Sequence, residues 1–339
     1  MRQWRILHSE SSLGWGGQEV RVFVELEWMR AHGHWTALAA PPESALAQRA
    51  REAGILLYPL NTHKTMLPVE VARLAVHPIL IRSRHIEVDY PNRFWSGLAF
   101  RFLPHHVITT SQRIADRLVA ELGIYPARVT CIATGVDLAR FNPEIDGSLH
   151  HELGIDPKVA LVGMISVLRS WKGHTTFLDA AAQLLGDARR TVRFVIAGDG
   201  PGRDELAKKI AQEPWKDRVT LLGHRADVPN VLASLDVLVL PSYAHEGIPQ
   251  IILQAQAMSC AVVATTIGGI PEVVEDGVTG LLIPPRDAGA LAEKISSLLD
   301  DSNLDAHLGQ AARASIEKSY SLDAMGERLL ELYEKGRRA

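Results

Sequence analysis

Pro241–Gly280 reads PSYAHEGIPQIILQAQAMSCAVVATTIGGIPEVVEDGVTG, and this stretch decides the fold. It runs from a strand end through an acidic loop, a helix, a second apolar strand and a Gly-Gly turn as one compact unit. In open α/β sheets, ligands sit where a loop and a helix start follow the C-terminal end of a parallel strand. The stretch is therefore a candidate site as much as a piece of scaffold.

Upstream the same alternation repeats. Apolar runs at Ala160–Val167, Arg193–Ala197, Val219–Leu222 and Val237–Leu240 read as strands, with helices at Thr175–Leu185, Arg203–Gln212 and Val228–Ser234 between them. Helices at Ala288–Leu299 and Ser321–Lys335 close the chain. An earlier series opens with strand Trp4–His8, a glycine-rich turn at Gly14–Gly17, helix Glu19–Ala31, strand Trp35–Ala39, helix Ser44–Ala53 and strand Ile55–Leu60. Strands Ile79–Ser83, Val107–Thr110 and Val129–Ile132 follow, with the amphipathic helix Gln112–Leu122. Such alternation predicts parallel sheets covered on both faces. Two domains of ordinary size fit 339 residues, and the polar, irregular Glu144–Ile155 is the expected linker.

The motifs resemble those of retaining, nucleotide-sugar-dependent glycosyltransferases of family 4. GGQE near the start, RSRH at Arg82–His85, TTSQRIADRLV, GVDLARF, WKG, AGDGPGRDEL and LGHRADVPNVLASLDVLVLPS all have family counterparts, so the resemblance covers nearly the whole chain. It implies the α/β GT-B fold: two Rossmann-like doubly wound domains, a donor cleft between them and a C-terminal crossover helix. The expected division is an acceptor-side domain at 1–143, a linker at 144–155, a nucleotide-sugar-binding domain at 156–320 and a last helix at 321–339 that packs back on the first domain. Between Leu60 and Ile79 the family has helix, strand and helix, whereas this sequence offers one helix near Pro68–Val76. The first domain is expected to be shortened near 61–78.

Transfer from a nucleotide sugar breaks the bond between the anomeric carbon and a diphosphate, and negative charge develops on the leaving phosphate. Preorganised donors and cations stabilise that charge. Lys172 and Arg169, in SVLRSWKGH, supply a point charge and a planar fork suited to phosphate oxygens. Gly247 and Ile248 precede Pro249, read as the first helical residue, and amides at a helix start favour anions. Gly16 and Gly17 are expected to offer the same from the other domain.

Family roles carry over onto matching positions. The family's first acid contacts donor-sugar hydroxyls, and it corresponds to Glu246. Its second acid, eight positions on, holds the ribose hydroxyls, and that position here is Gln254. The Gln254 amide oxygen still accepts a hydrogen bond but carries no charge, and Gln250, one turn earlier on the same face, is placed to assist. His85 matches a family histidine that approaches the donor sugar from the first domain. Gly198 opens a G-x-G-x-G loop that borders the family's donor cleft, with Arg225 near the base. As a dinucleotide fingerprint the loop fails, because the spacing differs and the next strand ends Gly223-His224-Arg225 with no acid.

Composition narrows the partners. Hydrophobic content of 47% and charged content of 22% are those of a globular protein. A net charge of −3 gives no global basic field, so no nucleic-acid partner is expected. Cys131 and Cys260, His105-His106 and His150-His151 lack metal-ligand spacing, so neither metal nor cofactor is expected beyond the substrate nucleotide sugar. The opening apolar run is too short for a secretory signal and no run approaches a bilayer span, which predicts a cytoplasmic protein. NRFWSGLAFRFLPHH sets Phe94, Leu98 and Phe102 on one helical face beside Arg93 and Arg101. That face is either core or a peripheral contact with a membrane that carries the acceptor.

The resemblance thus implies sugar transfer from a nucleoside-diphosphate sugar to a glycan or lipid-linked acceptor, in cell-surface polysaccharide or lipopolysaccharide synthesis. A non-catalytic remnant that binds nucleotide or glycan is the competing reading. A sugar-nucleotide epimerase of the same fold would need acid–base carboxylates in the first domain, and the sequence shows no matching constellation.

Overall fold

The computed structural model describes residues 3–60, 79–85, 98, 100–102, 104–186 and 191–338. Strand β1 (Arg5–Ser9), helix α1 (Gly17–Ala31), β2 (Trp35–Ala40), α2 (Ala45–Glu52) and β3 (Leu56–Pro59) open the chain. They are followed by β4 (Ile81–Arg84), β5 (His106–Thr109), α3 (Gln112–Leu122) and β6 (Val129–Cys131). Next come α4 (Leu149–Glu152), β7 (Ala160–Ile165), α5 (His174–Leu185), β8 (Val192–Ala197), α6 (Arg203–Ala211) and β9 (Val219–Gly223). The chain continues with α7 (Val228–Ala233), β10 (Val237–Leu240), α8 (Gln250–Ala257), β11 (Ala261–Thr265), β12 (Leu281–Ile283), α9 (Ala288–Asp300), α10 (Ser302–Ser319) and α11 (Leu322–Arg338).

Two compact units result. Met1–His85, Asp89–Gly135 and Ser321–Ala339 make up the first, and Val136–Tyr320 forms the body of the second. The chain passes from one to the other at Gly135–Val136, upstream of the stretch expected to be a linker. That stretch instead holds α4, and Leu149 and Ile155 are buried in the second unit's core. Its polar residues misled because they alternate with these apolar anchors.

In the second unit the strands pair in parallel in the order β9-β8-β7-β10-β11-β12. Strand β10 shows why. Val237 and Val239 face a core that contains Phe177 and Phe194, while Leu238 and Leu240 face another that contains Ile252 and Leu253. A strand apolar on both faces needs helices on both sides, as a parallel sheet provides. The chain runs outward from β7 through β8 and β9, then returns past β7 to lay down β10. Strand order therefore reverses between β7 and β10, and the loops leaving their C-terminal ends part to form a crevice.

The first unit carries two parallel ladders, β1-β2-β3 and β4-β5-β6. Helix α11 packs on α1 within this unit, where Trp28 and Met29 meet Met325, Leu329 and Leu332. The indole Nε1 of Trp28 donates to Asp323 Oδ1 at 2.8 Å. Beneath them lies a buried ionic cluster. The Glu25 carboxylate accepts from Arg21 Nε at 3.1 Å and Tyr333 OH at 3.0 Å, and bonds His8 Nε2 at 3.1 Å. Burial alone would raise the Glu25 carboxyl, but His8 and Arg21 override it and hold it well below the usual range.

The expected fold class holds, and the element list grows. Helix α10 and strand β12 escaped the sequence reading. The helix predicted near Pro68–Val76, and Phe94, lie outside the described residues. Phe100 is buried against Ile114 and Leu118, whereas Phe102 is exposed. No described helix is long and apolar enough to cross a membrane.

Candidate active site

The crevice where the second sheet reverses is built by two loops. After β7 the chain makes a short 3-10 turn, Ser170–Lys172, and Gly173 then caps α5. After β10 it runs through Pro241–Pro249 to α8. The loops approach backbone to backbone: Tyr243 N donates to Trp171 O at 2.9 Å. Gly173 has φ of 82°, and a Cβ there would lie 2.0 Å from Pro241 O. Only glycine fits a left-handed position so close to another main chain.

This packing brings together two of the four residues, Glu246, Lys172, Arg169 and His85, that the sequence reading assigned to the chemistry. Lys172 Nζ lies 2.6 Å from Glu246 Oε1, with the Glu246 side chain 6% exposed. Ser242 Oγ donates to the same oxygen at 2.6 Å, and the Ser242 carbonyl accepts from Thr265 Oγ1 at 2.5 Å. Ser242 and Thr265 are both fully buried. Gly269 N donates to Gly247 O at 3.2 Å, so the turn after β11 clamps the acidic loop from its far side. Arg169 stands beside this group, its guanidinium 5.1 Å from the centre of the Trp171 ring.

Helix α8 starts immediately beyond the acid. Pro249 is its N-cap, with φ −71° and ψ 124°, so the first helical residue is Gln250 rather than the proline. Ile252 N is the first to find a carbonyl in the turn, Pro249 O at 3.1 Å. Gln250 and Ile251 N–H are thus left as helix-start donors beside Gly247 and Ile248. Gln250 Nε2 is buried and makes no hydrogen bond among the described residues. Gln254 lies one turn further along α8 and is partly exposed. The fully buried Gln256, which the sequence reading passed over, ties the helix down by donating to Val273 O at 2.9 Å and Thr279 O at 3.2 Å.

Three expected donor-site residues have other work in this structure. The Gly16 amide, expected to face a ligand, is taken by Glu19 Oε2 at 2.8 Å, and Glu10 Oε1 accepts from Ser11 N and Ser12 N at 2.8 and 2.9 Å. Carboxylates of the chain itself therefore cap the glycine-rich turn before α1, and of the pair only Gly17, the first residue of α1, is left to offer an amide. Arg225 forms ion pairs with Asp227 and Glu152, each at 2.6 Å, and fastens α4 to the start of α7. Gly198 permits a close approach: it donates to Gly223 O at 2.7 Å, and a Cβ on it would fall 1.9 Å from Ser166 O. In the first unit, His85 directly follows β4, and its carbonyl accepts from Thr110 Oγ1 at 3.1 Å. Burial, with the nearby Arg21 charge, pushes its imidazole down to about 3, so the ring is neutral at ordinary pH.

Residues 147–315 match the profile of the family described as glycosyl transferases group 1. The chain is 34% identical over 191 residues to an alpha-D-kanosaminyltransferase of Streptomyces kanamyceticus, covering 55% of this chain and 48% of that protein. It is 30% identical over 238 residues to a D-inositol 3-phosphate glycosyltransferase of Corynebacterium efficiens, covering 67% of this chain and 55% of that protein. It thus spans about half the length of these relatives. The crystal structure of Anabaena Alr3699/HepE in complex with UDP superposes with a TM-score of 0.87 at 22% identity, covering 98% of this chain and 100% of that one. The same protein in complex with UDP-glucose gives a TM-score of 0.85. The fold is GT-B, and residues 147–315, the bulk of the second unit, match the glycosyl transferases group 1 family.

Proposed function

We propose that the chain is a glycosyltransferase that moves a sugar from a nucleoside-diphosphate sugar to a hydroxyl of a glycan or lipid-linked acceptor, with retention at the anomeric carbon. The observation that carries this reading is the Lys172–Glu246 pair at the reversal of the second sheet, next to the start of α8. Lys172, Arg169 and the α8 amides offset the charge that develops on the leaving diphosphate. Glu246 accepts hydrogen bonds from the donor sugar, and Gln254 and Gln250 bind the ribose. The acceptor oxygen bonds to the anomeric carbon as the bond to the diphosphate breaks, and the acceptor proton passes to a diphosphate oxygen. This chemistry calls on no metal ion.

The binding of UDP and UDP-glucose by the HepE structures favours a uridine donor. The neutral His85 suits the acceptor side, where an uncharged imidazole can accept from a sugar hydroxyl. The exposed Phe102 beside Arg101 supports peripheral contact with the cytoplasmic face of a membrane, consistent with synthesis of cell-surface polysaccharide or lipopolysaccharide.

A thermal-shift panel of UDP, GDP, ADP, CMP and their common sugar conjugates tests the reading, because a ligand of the native state raises apparent stability. One nucleotide series is expected to raise the melting temperature, and its sugar conjugate to be consumed when acceptor is supplied. Absence of a shift with every nucleotide would overturn the proposal. Binding without transfer or donor hydrolysis would identify a non-catalytic remnant.

A further inference from the structure

We infer that Ser242 is a positioning residue that turns the Glu246 carboxylate so that one oxygen serves the protein and the other serves the donor sugar. The inference rests on the sugar-transfer reading above and assigns a task to a residue which that reading leaves out. Glu246 Oε1 is occupied twice, by Lys172 Nζ and by Ser242 Oγ, each at 2.6 Å. Both of these bonds go to Oε1 and none among the described residues to Oε2, and the side chain keeps 6% exposure. A carboxylate held only by a lysine keeps freedom to rotate, because an ammonium is a compact charge without directional preference. A hydroxyl that donates along one lone pair supplies the missing direction.

The hydroxyl is itself fixed. Ser242 is fully buried at the end of β10, and its carbonyl is bonded by Thr265 Oγ1 from the end of the neighbouring strand β11. Strand pairing in register, Leu240 opposite Ala264, brings the two strand ends together. The order of support thus runs from the paired strands to Thr265, to Ser242, to Glu246. A side chain held this way sits in its working geometry before any ligand arrives, which is what a binding constellation requires.

Positioning and plain stabilisation predict different results. If Ser242 aims Oε2 at the sugar, its loss weakens the sugar's share of binding and leaves that of the nucleotide. A merely structural role would weaken both alike. The measurement is isothermal titration of wild type, Ser242→Ala, Ser242→Cys and Thr265→Val with UDP and UDP-glucose, repeated with GDP and GDP-mannose. Melting temperatures recorded alongside confirm folding.

For the series that binds wild type, Ser242→Ala is expected to lower the affinity ratio of sugar conjugate to free nucleotide by roughly tenfold, the worth of one charge-assisted hydrogen bond. Ser242→Cys, close in size and a weaker donor, is expected to recover part of that loss. Thr265→Val is expected to lower the ratio by less than Ser242→Ala. An unchanged ratio in Ser242→Ala, or equal loss for nucleotide and conjugate, overturns the positioning role while leaving sugar transfer intact. A wild-type chain that binds none of UDP, GDP, ADP and CMP, free or sugar-conjugated, overturns the transfer reading itself, and this inference with it.

Discussion

Lys172 and Glu246 lie 74 positions apart in sequence and 2.6 Å apart in space, joined because strand order reverses between β7 and β10. The pair is mostly buried, so neither charge is cheap to leave alone. Lys172→Ala strands the Glu246 carboxylate with Ser242 as its only side-chain donor among the described residues. The expected cost is about 2–3 kcal/mol in folding stability. Adding Glu246→Gln should restore about 1 kcal/mol or more, since an amide needs no counter-charge. Urea unfolding of both variants reads this directly. A double variant less stable than Lys172→Ala would show that the two side chains are held by their surroundings rather than by each other. Under the proposed chemistry Lys172→Ala should also lower turnover by at least about 100-fold.

Two glycines that look alike in sequence should behave in opposite ways. Gly198 has φ of 140°, and a Cβ there would meet Ser166 O at 1.9 Å. Neither main chain can yield without breaking the bonds of Gly198 N to Gly223 O and Ser166 N to Ala197 O. Gly198→Ala is expected to cost more than about 3 kcal/mol, or to prevent folding. Gly17, the first residue of α1, has nothing within 4 Å of its would-be Cβ. Gly17→Ala should leave stability unchanged or raise it by about 0.5 kcal/mol, because alanine loses less backbone freedom in a helix. Melting temperatures of the two variants decide the matter, and similar values would refute the assigned contacts.

The second unit was legible because its strands are apolar on both faces and its helices keep a 3.6-residue stripe. Glu246 and Lys172 stood out only through the resemblance of the acidic loop and of WKG to family motifs, since a lone surface acid or lysine carries no such signal. What escaped had weaker local signals. Strand β12 is three residues between a polar turn and two prolines, too short to show a period. Helix α10 carries Leu308, Ala312 and Ile316 at helical spacing behind an Asp301 cap, but its mean composition is polar. Ser242 belongs to no motif singled out in the sequence, and only the meeting of β10 with β11 reveals what it touches. The Arg21–Glu25 pair was visible at i,i+4 spacing, which usually marks a solvated face. Its burial depends on α11 returning from the far end of the sequence.

Stability should fall as the solution turns mildly acidic. An unfolded imidazole takes up a proton below about 6.5, whereas burial holds His85 neutral down to about 3 and His174 down to about 4. The unfolded chain therefore binds more protons across this interval, so stability is fully present above about pH 6.5 and is lost as the pH falls. His34 and His106 are shifted in the same direction, again chiefly by burial. Between about pH 7 and about pH 5 each of His85 and His174 should contribute a loss of up to about 2 kcal/mol. Glu25 is ionised in the fold throughout this window and nearly so in the unfolded chain, so it adds only about 0.1 kcal/mol to the loss. Urea unfolding at the two pH values, on wild type and on His174→Gln, should show a smaller drop for the variant. A flat profile would mean that both rings protonate freely in the fold.

The first unit depends on its last helix for electrostatics as well as for packing. Glu25 is buried, and its carboxylate is satisfied by Arg21, His8 and Tyr333 together. Burial and the adjoining Glu25 push the Tyr333 phenol well above its ordinary range, so it stays a donor at any working pH. Tyr333→Phe keeps the ring packed beside Trp4 and removes only the hydroxyl. It should cost about 1–2 kcal/mol. Glu25→Ala leaves Arg21 buried with one remaining bond among the described residues, to Ile132 O at 2.9 Å, and should cost about 3–5 kcal/mol. The double variant should cost less than the sum of the two, since the phenol has no acid left to serve, and the shortfall should exceed about 0.5 kcal/mol. Strict additivity in the unfolding free energies would mean that Tyr333 is indifferent to the acid beside it.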